Sequence, residues 1–238
     1  MHNQLKIENF KMWRFTPLYA CTLFYIFIVV YMIIGGGMTP MAASYYSCMY
    51  DGFKEGVQDC SFAFLWGMLI SWYVGIDFAN RTVHRSIVTG SSRAVIVVSR
   101  LIATSVMTIL FHIVTVIGEV IMYGFQYGVS FDGFNARDIL WALVVFLQLI
   151  AFNAFFVLIT YICGNVYSAL VTSVVIATIG GNVLRNFLGG NVIYEHSFFC
   201  FAKSSAAADL IPCAICAIIA ILVLSVASIM IFKRKDVE

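Results

Sequence analysis

Long uncharged apolar stretches constrain this sequence more than any other feature. Six stretches occur in the 238 residues, and only the third is interrupted, by Glu119. A membrane-spanning helix needs about 20 mostly apolar residues, and one charge at its centre costs about 2.5–3.5 kcal/mol. The predicted spans are residues 18–36, 61–76 with an extension as far as 79, 101–124, 139–162, a fifth that ends near 184, and 210–232. The sequence therefore predicts an all-α polytopic membrane protein, with six transmembrane helices in one transmembrane domain covering residues 1–238.

The fourth and fifth spans come from one uncharged stretch, residues 139–184, which is too long for a single crossing. Gly164 and Asn165 near its middle favour a tight reversal of the chain. We therefore expect two helices that fold back on each other at residues 163–165.

The composition excludes other classes of protein. Hydrophobic residues make up 62% of the chain and charged residues 11%, whereas soluble domains carry about 25% charged and about 45–50% apolar residues. The net charge of +2 is too small to indicate a nucleic-acid partner, and seven cysteines in a chain of this size do not form a disulfide scaffold. The lipid bilayer is the expected surrounding.

Basic residues predict the orientation, because Lys and Arg collect in cytoplasmic loops. Ten of the fourteen basic residues fall on one side of the predicted topology, and most acidic residues fall on the other. The ten are Lys6, Lys11, Arg14, Arg81, Arg85, Arg93, Arg100, Lys233, Arg234 and Lys235. Both termini are therefore predicted to be cytoplasmic.

A short basic helix is predicted in the cytoplasmic loop between the second and third spans, residues 77–100. Val83 and Ile87 would share one face and Arg81 and Arg85 another, because residues four apart are neighbours on a helix. Such a helix suits docking into a cleft on another protein. A solvated loop among lipid headgroups explains the same composition equally well.

Capping residues mark the ends of this helix. Asn80 can begin it and Gly90 is placed to end it. Ser91 or Ser92 would then cap the helix that leads into the third span.

Motifs for catalysis are missing from the sequence. There is no Gly-x-x-x-x-Gly-Lys-Ser/Thr loop for nucleotides and no His-Glu-x-x-His pair for a metal. A Gly-x-Ser-x-Gly nucleophile elbow is also missing. We therefore predict no catalytic residues, no metal site and no enzyme activity in this chain, and ATP-driven work would need a separate subunit.

The loop resembles a known family. The pattern Asp-Phe-x-Asn-x-Thr-Val-x-x-x-Ile-x-x-Gly-x-Ser-Arg at residues 77–93 precedes Ile-Val-Val-Ser-Arg-Leu-Ile at residues 96–102. It resembles the loop after the second span of type-2 ATP-binding-cassette (ABC) permeases, the small six-span branch that includes peptide exporters and bacteriocin-immunity permeases. The six spans, the cytoplasmic termini and a basic lead-in at residues 1–16 also agree, so the resemblance covers most of the chain.

The resemblance implies a function and its partners. The chain would be the permease half of an exporter in the bacterial cell (inner) membrane, paired with a second permease copy and with ABC ATP-binding subunits that hold ATP and Mg. Residues 81–88 would form the coupling helix, residues 1–16 an interfacial helix, and residues 185–209 an outer loop or re-entrant helices. The docking residues carried over by position are Arg81, Val83, His84, Arg85, Ile87, Val88, Gly90 and Arg93. Aromatic and methionine-rich spans favour a hydrophobic or amphipathic substrate, and a peptide over a sugar or lipid-linked precursor.

Polar side chains form a stripe along the third span. Spacings of three and four place them on one helix face, which must meet protein or water because lipid would not solvate it. The stripe consists of Ser105, Thr108, His112, Thr115 and Glu119. It either lines a substrate pathway with His112, Thr115, Glu119 and Arg185, or it packs helices together, with Glu119 paired to Arg185. Packing is the favoured interpretation.

Small residues recur every four positions in the second span. Such a ladder lets another helix approach closely. Its members are Ala63, Gly67, Ser71 and Gly75. The sequence leaves open whether the approaching helix belongs to this chain or to a second copy.

Two alternatives to a permease remain open at the level of sequence. Cys213 and Cys216 form a C-x-x-C near the outer end of the sixth span, which is a pattern used by membrane thiol-disulfide oxidoreductases. A disulfide between Cys48 and Cys60 would fit an oxidising compartment. A stand-alone carrier is the third class, although little intramembrane charge supports it.

Overall fold

The computed structural model describes most of the chain. The described residues are 2–35, 48–58, 63–80, 82–88, 90–180, 183, 186–187, 196–199 and 210–234. Within these ranges all regular structure is helical, so the predicted all-α class is confirmed.

The helices follow the predicted spans closely. Their bounds are α1 His2–Trp13, α2 Thr16–Gly35, α3 Met49–Gln58, α4 Ala63–Ala79, α5 Thr82–Val88, α6 Arg93–Tyr127, α7 Ala136–Cys163, α8 Val166–Val175 and α9 Leu210–Arg234. A π-helical segment, Ile176–Gly180, continues α8. The connection between α4 and α6 is shorter than the predicted loop, because residues 77–79 belong to α4 and residues 93–100 to α6.

Among the described residues, four helices are long and apolar enough to cross a membrane: α2, α6, α7 and α9. The helices α4 and α8 are apolar but shorter. At 1.5 Å per residue the 35 residues of α6 extend about 52 Å, well beyond the hydrocarbon core of about 30 Å. Both ends of α6 therefore reach past the apolar region that it would cross.

Local capping explains where the long helices begin and end. Gly164 adopts the left-handed conformation, φ 63°, that ends α7, and the side chain of Asn165 accepts a hydrogen bond from the amide of Tyr167. The reversal predicted at residues 163–165 is therefore confirmed. Of the two candidate serines before α6, Ser92 is the N-cap, and its side chain accepts from the amide of Val95.

The small-residue ladder of α4 packs against α7 and α8 of the same chain. A Cβ on Gly67 would lie 2.9 Å from Cε1 of Phe156, and a Cβ on Gly75 would lie 2.9 Å from Cα of Val166. Ser71, between them, is fully buried and hydrogen-bonds a serine hydroxyl of α8. Ala63 begins the helix. The described part of the ladder thus serves packing within one chain.

A short helix, α3, contacts the C-terminal half of α6 and the first turn of α7. A Cβ on Gly52 would lie 2.8 Å from the carbonyl oxygen of Glu119, and one on Gly56 would lie 2.9 Å from the α6 backbone one turn earlier. The hydroxyl of Tyr50 donates to Asp138 at the start of α7 over 3.0 Å. The two glycines therefore let α3 touch α6 closely while Tyr50 ties it to α7.

Candidate functional site

Buried charged and aromatic side chains join four helices at one end of the molecule. We call this set the ion-pair cluster. It consists of Glu8 and Lys11 of α1, Tyr73 and Asp77 of α4, Arg100 of α6 and Tyr161 of α7. The same end carries α5 and the last turn of α9, because Arg93 at the start of α6 contacts the end of α9.

Arg100 is the centre of the cluster. Its Nη2 lies 2.6 Å from Oδ2 of Asp77 and its Nε lies 3.5 Å from Oε1 of Glu8. Its Nη1 donates to the hydroxyl of Tyr161 over 3.1 Å. The side chain of Arg100 is only 2% exposed. Asp77 and Tyr161 therefore replace water at its two terminal nitrogens, whereas the contact of Nε with Glu8 is an ion pair and not a hydrogen bond.

Asp77 connects the cluster to α5. Oδ2 of Asp77 lies 2.7 Å from Nζ of Lys11, and Oδ1 accepts from the hydroxyl of Thr82 over 2.9 Å. Thr82 is the first residue of α5. The carboxylate therefore holds α1, α6 and the start of α5 at a single point at the end of α4.

Glu8 and Tyr73 form a second link between α1 and α4. The hydroxyl of Tyr73 donates to Oε2 of Glu8 over 2.7 Å, and the backbone carbonyl of Glu8 lies 3.0 Å from the same hydroxyl. Nζ of Lys11 donates to the carbonyl of Tyr73 over 2.9 Å and lies 4.0 Å from the centroid of its ring. These contacts fix the register of α1 on α4.

The cluster is close to neutral in charge, with two carboxylates facing one guanidinium and one ammonium. Burial lowers the pKa of Lys11, and the charges of Asp77 and Glu8 offset part of that shift. Breaking a buried pair leaves an uncompensated charge, which typically costs about 3–5 kcal/mol. The arrangement therefore holds α1, α4, α6 and α7 together.

The helix α1 buries one narrow side and exposes a mixed side, on which Lys6 and Asn9 lie beside apolar residues. Its buried residues are Gln4, Glu8 and Met12. More than half exposed are Ile7, Phe10 and Trp13. A helix with buried charge and outward aromatic residues suits the membrane–water interface, as expected for the lead-in at residues 1–16.

The helix α5 confirms the predicted loop helix, but its apolar pair faces inward. Val83 is fully buried and Ile87 packs against the core of the same chain. The exposed side chains are His84, Arg85 and Val88, with Val88 72% exposed. The outer surface of α5 is therefore basic with one valine, and the pair expected to enter a partner's cleft instead anchors α5.

The remaining predicted docking residues flank α5. Gly90 has φ 91°, a left-handed conformation that suits glycine after a helix. Nη1 of Arg93 donates to the carbonyls of Phe232 and Lys233, over 3.0 and 2.8 Å, and so satisfies the end of α9. Arg81 lies outside the described residues.

The polar stripe of α6 is turned toward protein. Thr108, His112 and Thr115 are buried, and Ser105 and Glu119 are half-buried. The hydroxyl of Thr115 lies 3.3 Å from Nδ1 of His112, and the imidazole packs edge-to-face between aromatic rings of α4 and α7. This section of the stripe is part of the helix interface.

The end of the stripe that contains Glu119 contacts α2. The hydroxyl of Tyr25 donates to the carbonyl of Thr115 over 2.9 Å and lies 3.4 Å from Oε1 of Glu119. Arg185, the expected partner of Glu119, lies outside the described residues. A tyrosine of α2 is thus one neighbour of the carboxylate.

The C-x-x-C cysteines of α9 point in different directions. Cys213 is buried, whereas Cys216 is exposed and is a free thiol. Cys48 is also a free thiol, while Cys60 lies outside the described residues. Within the part of the chain that the structure describes, His, Cys, Asp and Glu form no group of three that could hold a metal ion.

No protein-family model, curated protein or solved structure matches this chain. The contacts described above therefore carry the functional argument.

Sequence reasoning did not identify the ion-pair cluster. It treated Asp77 and Arg100 as separate loop charges and gave no role to Glu8, Tyr73 or Tyr161. One signal was present: a cap at Ser91 or Ser92 places Arg100 two turns inside the following helix, where a charge needs a partner.

Proposed function

We propose that this chain is the membrane-spanning permease subunit of an ABC exporter. It moves a hydrophobic or amphipathic substrate, most simply a peptide, out of the cytoplasm or the membrane with ATP hydrolysed by a separate subunit. Four long and two shorter apolar helices support a six-span bundle. The absence of a nucleotide-binding loop from the sequence makes the separate ATPase necessary.

The observation that carries the proposal is the attachment of α5 to the ion-pair cluster. Thr82 at the start of α5 bonds Asp77, and Asp77 pairs with Lys11 and Arg100. A helix held in this way cannot move without moving α1, α4 and α6. Force applied to α5 by a nucleotide-driven partner would therefore reach the membrane-spanning helices.

The exposed face of α5 is the proposed docking surface. It presents Arg85, His84 and Val88, while Val83 and Ile87 hold the helix to its own chain. A basic surface with one apolar side chain suits a groove with an acidic rim, since opposite charges steer association.

Orientation follows from the charges at this end of the molecule. The basic residues of α1, α5, the start of α6 and the end of α9 lie together, and such residues favour the cytoplasmic side. We place α5 and both ends of the chain in the cytoplasm of a bacterial cell, with α3 outside. A second permease copy completes the unit, and ATP and Mg are held by the ATP-binding subunits.

An affinity pull-down from detergent-solubilised native membranes tests the proposal. The variant Arg85→Glu/Val88→Asp changes only exposed residues of α5. The matched control, Val129→Asp/Arg137→Glu, makes the same changes at two exposed positions of the far end, in the α6–α7 connection and in the first turn of α7. We expect an ATP-binding subunit with the wild type and the control but not with the α5 variant. Recovery of no ATPase by any of them would contradict the exporter and favour a stand-alone carrier.

A further inference from the structure

An apolar groove of about 370 Å³ opens between α6, α7 and α9. Its walls come from three helices, and its rim includes Ile102 and Val106, which are exposed. The full lining is Val98, Leu101, Ile102, Ser105, Val106, Ile109, Ile150, Ala154, Ile221 and Ser225. The groove does not involve the ion-pair cluster or α5.

Basic residues lie beside this groove, where α6 begins and α9 ends. Arg93 of α6 reaches across to α9, where its guanidinium lies 5.6 Å from the ring centroid of Phe232 and bonds two backbone carbonyls. Phe232 lies two turns below Ser225 on the same side of α9. Lys233 and Arg234 follow and are exposed. Positive charge thus collects where α6 and α9 meet beneath the cavity.

The spacing between the charges and the groove matches a lipid. From Lys233 to Ser225 the rise of α9 is about 12 Å, and from Arg93 to the lining residue Leu101 the rise of α6 is also about 12 Å. One leaflet of the hydrocarbon core is about 15 Å thick, half of the whole. A chain whose headgroup sits at Lys233 would therefore pass through the groove.

We propose that this groove binds one anionic phospholipid, with an acyl chain between α6, α7 and α9 and the phosphate near Arg93, Lys233 and Arg234. The lining is apolar apart from Ser105 and Ser225, so it can take the acyl chain out of the bulk bilayer. The basic end selects anionic over zwitterionic headgroups, because each Lys or Arg at a membrane surface attracts anionic lipid. The site would hold the end of α9 against α6 independently of any transport cycle.

Native mass spectrometry of the purified full chain tests this site with two probes, phosphatidylglycerol and phosphatidylcholine of the same acyl composition. We expect one phosphatidylglycerol to be retained through delipidation that removes phosphatidylcholine. Equal retention of the two lipids would overturn the proposal.

Variants distinguish lipid bound in the groove from lipid bound elsewhere on the surface of the protein. Ser225→Phe and, from the opposite wall, Ile109→Phe fill the cavity, so each should lower retention of phosphatidylglycerol on the order of tenfold. Val226→Phe adds the same ring at a neighbouring α9 position that is 54% exposed and outside the lining, and should leave retention unchanged. Wild-type retention in both filled variants would overturn the proposal.

A second set of variants tests whether Lys233 and Arg234 bind the lipid headgroup. Lys233→Gln/Arg234→Gln should lower the preference for phosphatidylglycerol on the order of tenfold, whereas Lys6→Gln, at an exposed basic position of α1, should not. An unchanged preference in the double variant would overturn the assignment of these two residues.

Discussion

The guanidinium of Arg100 and the carboxylate of Asp77 lie 2.6 Å apart and join the start of α6 to the end of α4. The chain between them contains α5, whose first residue, Thr82, bonds the same carboxylate. The pair therefore closes a loop around the proposed docking helix. Removal of one partner from an ion pair this deeply buried leaves an uncompensated charge, which costs several kcal/mol. The pair therefore fixes the position of α6 relative to α4.

Replacement of Asp77 by asparagine should destabilise the protein by about 3–5 kcal/mol, because the buried Arg100 would lose the carboxylate that it shares with the partly exposed Lys11. Asp51→Asn is the control, since Asp51 pairs with the partly exposed Lys54 over 2.6 Å and such pairs contribute about 0.2–1 kcal/mol. Reversible unfolding in mixed detergent micelles measures both changes. Equal losses in the free energy of unfolding of the two variants would show that the buried pair contributes no more to stability than the exposed one.

Coupling between Glu8 and Tyr73 should be measurable in a double-mutant cycle with Glu8→Gln and Tyr73→Phe. Groups in direct contact typically couple by about 0.5–3 kcal/mol, and the hydroxyl lies 2.7 Å from the carboxylate. The same cycle with Tyr50→Phe, at the far end of the molecule, should be additive to within about 0.5 kcal/mol. If the effects of Glu8→Gln and Tyr73→Phe on stability are additive, the two side chains do not interact, which would contradict the contact between α1 and α4 in the ion-pair cluster.

Alanine at Gly75 should lower stability although alanine favours helix by about 1 kcal/mol. The new Cβ would lie 2.9 Å from Cα of Val166, a backbone atom that cannot rotate away, and overpacking costs about 1–3 kcal/mol. Gly67→Ala meets the ring edge of Phe156 at the same distance. A ring can tilt, so this variant should lose less. Thermal unfolding of the two variants gives the order, and a gain in stability at Gly75 would refute the packing of α4 on α8.

Most helices could be predicted from the sequence because long apolar runs and capping residues mark their positions, although α6 extends well beyond its apolar run. The apolar runs, the reversal at Gly164 and the cap at Ser92 all follow from local chemistry. The helix α3 was not predicted: its contact with α6 depends on Gly52 and Gly56 meeting a distant backbone, which local patterning does not reveal.

The pairing in the cluster could not be predicted for a related reason. Charge counting assigns each Lys and Arg to a side of the membrane and says nothing about whether it is buried. Glu8 lies 92 positions from Arg100 in the sequence, and only the packing of α1 against α6 brings them together. The inward direction of Val83 likewise depends on how α5 folds back onto the core, since a two-turn helix with an apolar pair can face either way.

Loss of the C-x-x-C cysteines should leave function intact. Because Cys213 is buried and Cys216 is exposed, the variant Cys213→Ala/Cys216→Ala should still recover the ATP-binding subunit and support transport. Replacement of Cys21 and Cys163 by alanine, elsewhere in the bundle, is the control. Activity abolished only in the Cys213/Cys216 variant would favour the oxidoreductase.

Site-specific photo-cross-linking from α5 tests the central claim most directly. A photoreactive amino acid replaces Val88, which is 72% exposed, or, as the control, Val129 at the far end, which is 81% exposed. After illumination of native membranes, mass spectrometry identifies what is attached to each position. The account predicts a protein with a nucleotide-binding loop attached at Val88 and not at Val129. Lipid alone at Val88, or the same attached protein at both positions, would contradict the assignment of α5 as the ATPase docking helix.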